Sequence, residues 1–242
     1  EAESGLETVS DEYSAKKHRL ATLNELEEKR AVYTPQVQKL FAEQESIGVK
    51  LGGVLADRLK VAARAERAIE TLFGPYLEAV IVESLDDARR LASWLKENDI
   101  GRTAMLIAPG ENSSASKKRT AAAGSIEEHL GISADFAEVL RAVFPREMSA
   151  KLVEDLSAGS ATAGEIQINF EGEVLLGGRL FIGGKQGSDG KNESLLAFKR
   201  ELHDLDAAVA KLSSEIESAR SVVDRSREVL IEFESKTVDL GT

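Results

Sequence analysis

Few residues of this chain have the types and spacing that catalysis requires. Its 242 residues include no cysteine, which excludes a cysteine nucleophile, a disulfide framework and a cysteine-ligated zinc site. The nearest match to a phosphate-binding loop is the segment 183–192, but Lys185 occupies a glycine position and Asn192 replaces the hydroxyl that would bind Mg²⁺. Three histidines are too scattered to suggest a metal cluster: His18, His129 and His203. We therefore expect no catalytic residue, no metal site and no cofactor in this chain.

Paired carboxylates could act as a general acid and base, yet both pairs here have a simpler explanation. Asp86-Asp87 and Glu127-Glu128 fall in the first turns of predicted helices, where a negative charge interacts favourably with the helix dipole. A small α/β enzyme with helical decoration stays open as an alternative, although it lacks a nucleophile and a phosphate loop.

The C-terminal flank has the periodicity of a coiled coil. From residue 195 to residue 240, positions separated by alternating steps of three and four are almost all apolar, which meets the heptad criterion. A weaker series covers residues 6–40, and Thr34-Pro35 is a point where that helix can restart.

The two apolar series match when one of them is reversed. Residue numbers of facing positions then sum to 238 or 239, as for Leu26 with Leu212 and Leu23 with Ile216. A nearly constant sum predicts two antiparallel helices in that register. We therefore expect residues 1–45 and 194–242 to form one intramolecular coiled coil, and residues 46–193 to form a globular domain.

The first half of that domain, residues 46–110, has an α/β pattern. A helix over 62–73 precedes a strand over 77–82, and Ser84 caps the next helix. A second apolar strand follows over 103–108, so the order of elements predicts a parallel crossover.

The second half, residues 125–193, follows a flexible linker over 111–124. Its start is predicted to be helical from Ser125 to Phe144, with Ser125 and Ser133 as helix caps. A strand begins at Glu165 and turns at Glu171-Gly172.

The segment GEVLLGGRLFIGG, residues 172–184, reads as two short strands separated and followed by glycine pairs. Glycine tolerates positive φ and lets another backbone approach closely. The segment therefore predicts either a contact surface or a simple hairpin loop.

Basic residues form two groups whose default interpretation is solvated charge and whose alternative is phosphate contact. The first group includes Arg58, Lys60 and Arg64, and the second is Lys117, Lys118 and Arg119. Most of the net charge of −11 lies in the flanks, so overall acidity does not decide between these interpretations.

A globular domain inserted into an antiparallel coiled coil, and opening with IGVKLGGVLADRL (residues 47–59), resembles the hinge of SMC (structural maintenance of chromosomes) proteins. Residues 65–109 resemble the first half of that hinge, and GEVLLGGRLFIGG resembles its closing glycine-rich segment. The implied fold class is an α/β (α+β) hinge-like domain at the tip of a long antiparallel intramolecular coiled coil.

The resemblance implies that this chain is a dimerisation module. Two hinges would associate as a homodimer through the closing segment, with the following interface residues: Gly177, Gly178, Leu180, Ile182, Gly183 and Gly184. DNA could be contacted by the basic residues named above. Another coiled-coil-tipped dimerisation or scaffold module is the alternative.

The resemblance also bears on the full-length protein. That protein is expected to hydrolyse ATP with Mg²⁺ through head domains absent from this sequence, to bind accessory subunits and to organise chromosomes. The sequence contains no apolar run of membrane-spanning length. We expect a cytoplasmic, nucleoid-associated protein without membrane contact.

Overall fold

The computed structural model describes residues 2–108, 121–156, 164–184 and 194–239. It divides into a flank unit, Glu1–Glu28 with Glu201–Thr242, and a central unit, Lys29–Arg200. The described residues form the helices α1 (Ala2–Glu28), α2 (Pro35–Ile47), α3 (Glu66–Phe73), α4 (Leu85–Glu97), α5 (Ala134–Val143), α6 (Pro145–Met148) and α7 (Leu195–Asp239). They also form the strands β1 (Val80–Val82), β2 (Met105–Ile107), β3 (Lys151–Val153), β4 (Ile166–Asn169), β5 (Val174–Leu176) and β6 (Leu180–Ile182). The predicted mixed fold of helices and sheets is confirmed.

The flank unit pairs α1 with the C-terminal part of α7. Residue 19 contacts residue 201, whereas residues 6–11 line the same groove as residues 220–227. The residue numbers of α1 fall as those of the contacting residues of α7 rise, so the two helices are antiparallel, as predicted. Their contact buries an apolar seam: Leu20, Leu23, Leu212, Ile216 and Val223.

The predicted register of this pairing is wrong. A sum of 238 or 239 places Arg19 opposite residues 219–220, yet Arg19 makes two hydrogen bonds to the Glu201 carboxylate, at 2.8 and 3.2 Å. Positions 18 residues apart are separated by roughly 27 Å along a helix, which two side chains cannot bridge. Leu26, predicted to pair with Leu212, is exposed. A heptad pattern matches itself again after every seven residues, so apolar spacing alone leaves several registers equally acceptable.

The predicted helix restart at Pro35 is confirmed. Helix α1 ends at Glu28, and Arg30 has a positive φ of 53° in the turn before α2. The side chain of Glu78 accepts hydrogen bonds from both the N–H and the hydroxyl of Thr34, at 2.8 and 2.7 Å. This carboxylate therefore fixes the residue that precedes α2.

The first half of the central unit contains the predicted parallel pair of strands. Strands β1 and β2 pair in parallel, with Ile81 opposite Leu106. Helix α4 connects them, and Ser84 caps it by accepting a hydrogen bond from the N–H of Asp87 at 3.1 Å. The predicted helix over 62–73 is instead a short 3₁₀ segment, Ala63–Ala65, followed by α3.

The second half forms a four-stranded sheet in the order β3-β4-β5-β6. Strand β3 pairs in parallel with β4, and the remaining pairs are antiparallel. The sequence predicted β4, β5 and β6 but missed β3, since three residues without a flanking turn signal are too few to show an alternating pattern.

The helical start of the second half is shorter than predicted. Residues Ile126–His129 form a 3₁₀ segment, and the buried hydroxyl of Ser125 makes no cap hydrogen bond. Ser133 does cap α5, by accepting a hydrogen bond from the N–H of Phe136 at 3.4 Å. The two halves share one hydrophobic core, whose fully buried members include Val37, Leu40, Phe73, Leu91, Leu130, Leu140 and Ile168.

Candidate functional site

Strand β6 is an exposed apolar strand at the edge of the four-stranded sheet. Leu180, Phe181 and Ile182 are 55%, 56% and 49% exposed. Among the described residues β6 pairs only with β5, so its other edge offers backbone hydrogen-bonding groups. A strand with this composition and position is a template for pairing with another chain.

The apolar rows of the sheet continue beyond the core of the central unit. Across the strands, Ile168 lies opposite Val174, and Val174 lies opposite Ile182. Ile168 and Val174 are buried, whereas Ile182 is half exposed. The neighbouring row runs from buried Ile166 through partly buried Leu176 to exposed Leu180. Additional atoms placed over β6 would therefore extend an existing core.

The first glycine pair of the closing segment has a local explanation. Gly177 and Gly178 form the turn between β5 and β6 with φ values of 57° and 68°, and the N–H of Arg179 donates to the carbonyl oxygen of Leu176 at 3.1 Å. Both positions need positive φ, which strains other residues. Gly184 also has a positive φ, and a Cβ at Gly183 would overlap the ring of Phe181. Their predicted place in a dimer interface stays a prediction.

The outer edges of two other strands are covered by segments of the same chain. Residues 52–55 cover β1, with an antiparallel bridge between Val54 and Val80. Residues 124–126 cover β3, with a bridge between Ser125 and Lys151. Strand β2 pairs only with β1 among the described residues, and Ile107 is 37% exposed. Strands β2 and β6 are thus the two open edges of the described sheets.

Two glycines that join the halves were not identified from the sequence. A Cβ at Gly131 would overlap the carbonyl oxygen of Lys60, and one at Gly172 would lie 2.8 Å from Oγ1 of Thr71. Both glycines have positive φ. An isolated glycine in sequence does not reveal which backbone it approaches, so no local signal distinguished them.

Two basic residues of the first group, Arg58 and Arg64, contact acceptor oxygens of the same chain. Arg64 contacts the Glu154 carboxylate at 2.6 Å and lies 4.1 Å from the ring centroid of Phe170. Arg58 donates to the carbonyl oxygen of Gly52 at 3.4 Å, and Lys60 is exposed. The second group, Lys117, Lys118 and Arg119, lies outside the described residues.

A groove of about 500 Å³ lies between the two halves. Its lining includes Arg64 and Arg67, but carboxylates outnumber these guanidinium groups: Glu66, Glu70, Glu154 and Glu171. Arg67 is itself paired with Glu171 at 2.8 Å. This balance does not favour a bound phosphate.

A partly buried ion cluster supports the second half from inside. The guanidinium of Arg141 on α5 donates bidentate hydrogen bonds to the Glu127 carboxylate and also contacts Glu138. The hydrogen bonds that Arg141 donates to the Glu127 carboxylate raise the pKa of Arg141 above its ordinary value. The ion pair with Glu127 fixes the segment 126–129 against α5, which is a structural role.

The described residues contain no cluster of three or more acidic or histidine side chains suited to a metal ion. Within the same ranges, every helix is too short or too polar to cross a bilayer.

Comparison with known proteins gives concordant matches. Residues 49–163 match the family described as the SMC proteins flexible hinge domain. The chain is 26% identical over 210 residues to the chromosome partition protein Smc of Halothermothrix orenii, covering 83% of this chain and 18% of that protein. It is 27% identical over 253 aligned positions to the Smc of Desulfitobacterium hafniense, covering 98% of this chain and 19% of that protein.

Among solved structures, the fold matches the crystal structure of an asymmetric dimer of the Geobacillus stearothermophilus SMC hinge domain. The TM-score is 0.73 at 22% sequence identity, and the match covers 95% of each chain. The chain spans about a fifth of the length of the curated relatives it matches. The chain therefore has the fold of an SMC hinge domain, and its residues 49–163 are similar to that family.

Proposed function

We propose that this chain is the homodimerisation module of an SMC chromosome partition protein. The observation that carries the proposal is the open edge of β6, where three consecutive large apolar side chains are about half exposed. Its match to the hinge family supports the same function, as does the dimeric state of the G. stearothermophilus hinge whose fold it shares.

The second open edge suggests how two copies meet. Strand β6 of one copy would pair with β2 of the other, and the same contact would recur by two-fold symmetry. Such a reciprocal arrangement closes, so it yields a dimer rather than a fibre. The backbone of each edge supplies hydrogen bonds, and the side chains of β6 supply apolar area.

The role of the whole protein follows as part of the same proposal. Its relatives are chromosome partition proteins, so the longer protein would organise chromosomes, with ATPase heads and accessory subunits beyond this segment. The segment itself would join subunits rather than catalyse. DNA contact is a weaker proposal, because Arg64 is already paired with a carboxylate.

Light scattering of the purified chain tests the proposal. We expect twice the mass of one chain at micromolar concentration, and one chain mass after Ile182→Glu. Val143→Glu is a matched control, because Val143 is also 49% exposed but lies on α5. A wild-type chain that stays monomeric, or an Ile182→Glu variant that still dimerises, would contradict the proposal.

A further inference from the structure

Asp57 lies where three segments that are distant in the sequence meet. Its Oδ2 accepts a hydrogen bond from the N–H of Val54 at 2.8 Å. Its Oδ1 lies 2.5 Å from Nζ of Lys199 and accepts a hydrogen bond from the hydroxyl of Tyr33 at 3.3 Å. The opening segment (residues 52–57), the turn before α2 (residues 29–34) and the start of α7 therefore share one carboxylate.

The side chains of this contact are partly shielded from solvent. The side chains of Lys199 and Asp57 are 17% and 24% exposed, and Tyr33 is buried. Nζ of Lys199 also lies 5.4 Å from the ring centroid of Tyr33. An ion pair in such surroundings is screened less than a surface pair, and loss of one partner leaves the other charge poorly solvated.

The opening segment is shaped around the same carboxylate. A Cβ at Gly53 would lie 2.6 Å from Oδ2 of Asp57, and Gly53 has a positive φ of 91°. A side chain at this position would therefore displace either the loop or Asp57. The glycine keeps the loop close enough for the Val54 N–H to reach Asp57.

The opening segment is also attached to the first sheet. The N–H of Gly52 donates to the carbonyl oxygen of Ile81 at 2.8 Å, and the N–H of Leu55 donates to that of Ala79 at 2.9 Å. Ile81 belongs to β1, the direct neighbour of β2. One continuous set of contacts thus extends from β2 through β1 and the opening segment to Asp57.

We propose that Asp57 is a positioning residue that couples the opening segment, residues 52–57, to the turn 29–34 and to the start of α7. The chain passes through these two segments on its way between the central unit and the flanks. Asp57 therefore makes the conformation of both segments depend on the first sheet. This inference goes beyond dimerisation, because pairing of two edge strands does not require these contacts.

The start of α7 has a second attachment that serves as an internal control. Arg200 contacts Glu66 at 2.5 Å, which ties α7 to α3. If Asp57 were only one of several local supports, neutralising Glu66 and neutralising Asp57 would have similar effects.

Amide hydrogen exchange of the full chain distinguishes these cases. Asp57→Asn keeps the shape but removes the charge, and we expect protection to fall roughly tenfold in all three segments, the scale of one charge-assisted hydrogen bond. Lys199→Met should affect the same three segments, and the combined variant should lose less protection than the product of the two effects. Lys199→Arg retains the ion pair and should restore protection. Glu66→Gln should affect only α3 and the start of α7.

Global stability is measured for each variant by urea unfolding, so that a general loss of stability is not mistaken for a local one. The proposal is overturned if Asp57→Asn changes exchange only in the opening segment. It is also overturned if the effects of Asp57→Asn and Lys199→Met multiply independently, or if Glu66→Gln affects all three segments equally.

Discussion

Replacing Ile182 by glutamate should dissociate the dimer without unfolding the chain. Ile182 is already half exposed in one copy, so its contribution to the fold of the central unit is modest. Its remaining exposed half would be covered in a dimer, and burial of half an isoleucine side chain is worth about 1 kcal/mol. A carboxylate at the same position adds a desolvation cost of about 2 kcal/mol.

The two contributions amount to roughly 3 kcal/mol per contact and roughly 6 kcal/mol for two reciprocal contacts, which corresponds to about a 10⁴-fold increase in the dimer Kd. Sedimentation equilibrium over a range of concentrations measures this Kd, and far-UV circular dichroism checks that the helices are retained. Val143→Glu should leave the Kd unchanged. A change of less than about tenfold for Ile182→Glu would refute the assignment of β6 to the interface.

Three further predictions concern stability and DNA. Gly131→Ala should lower the free energy of unfolding by about 3 kcal/mol, because the new Cβ overlaps a backbone oxygen at positive φ; a loss below 1 kcal/mol in urea unfolding would contradict the close approach. Arg141→Ala should cost about 3 kcal/mol by leaving Glu127 buried without its partner, whereas Arg89→Ala, in an exposed pair, should cost less than about 1 kcal/mol. If the linker contacts DNA, substitution of Lys117, Lys118 and Arg119 by glutamate should weaken binding at low salt. The slope of log affinity against log salt should fall by about 3. An unchanged slope would indicate that these side chains are only solvated charges.

The parts of the fold that depend on local periodicity were predictable. The antiparallel pairing of the flanks, the restart at Pro35 and the parallel β1–β2 pair each follow from apolar spacing or from one cap residue. The register of the flanks was not predictable in the same way, because a heptad series is compatible with several sums. The ion pair between Arg19 and Glu201 distinguishes among them, but an apolar pattern carries no information about charged positions.

The second half was less predictable for a different reason. Strand β3 has three residues, and its parallel pairing with β4 depends on contacts between distant segments. The exposed apolar strand β6 was evident in the sequence as Leu180 to Ile182, but its exposure was not, since a run of apolar residues is equally typical of a buried strand. Gly131 and Gly172 owe their importance to backbones that are distant in sequence.

Cross-linking between two differently substituted chains tests the reciprocal contact most directly. The natural sequence has no cysteine, so Ile107→Cys in one chain and Phe181→Cys in another provide the only thiols for a short bis-maleimide. We predict a cross-linked dimer when the two variants are mixed and little product from either variant alone. Efficient cross-linking of the Phe181→Cys variant with itself, or a dimer that yields no product in the mixture, would contradict the pairing of β6 with β2.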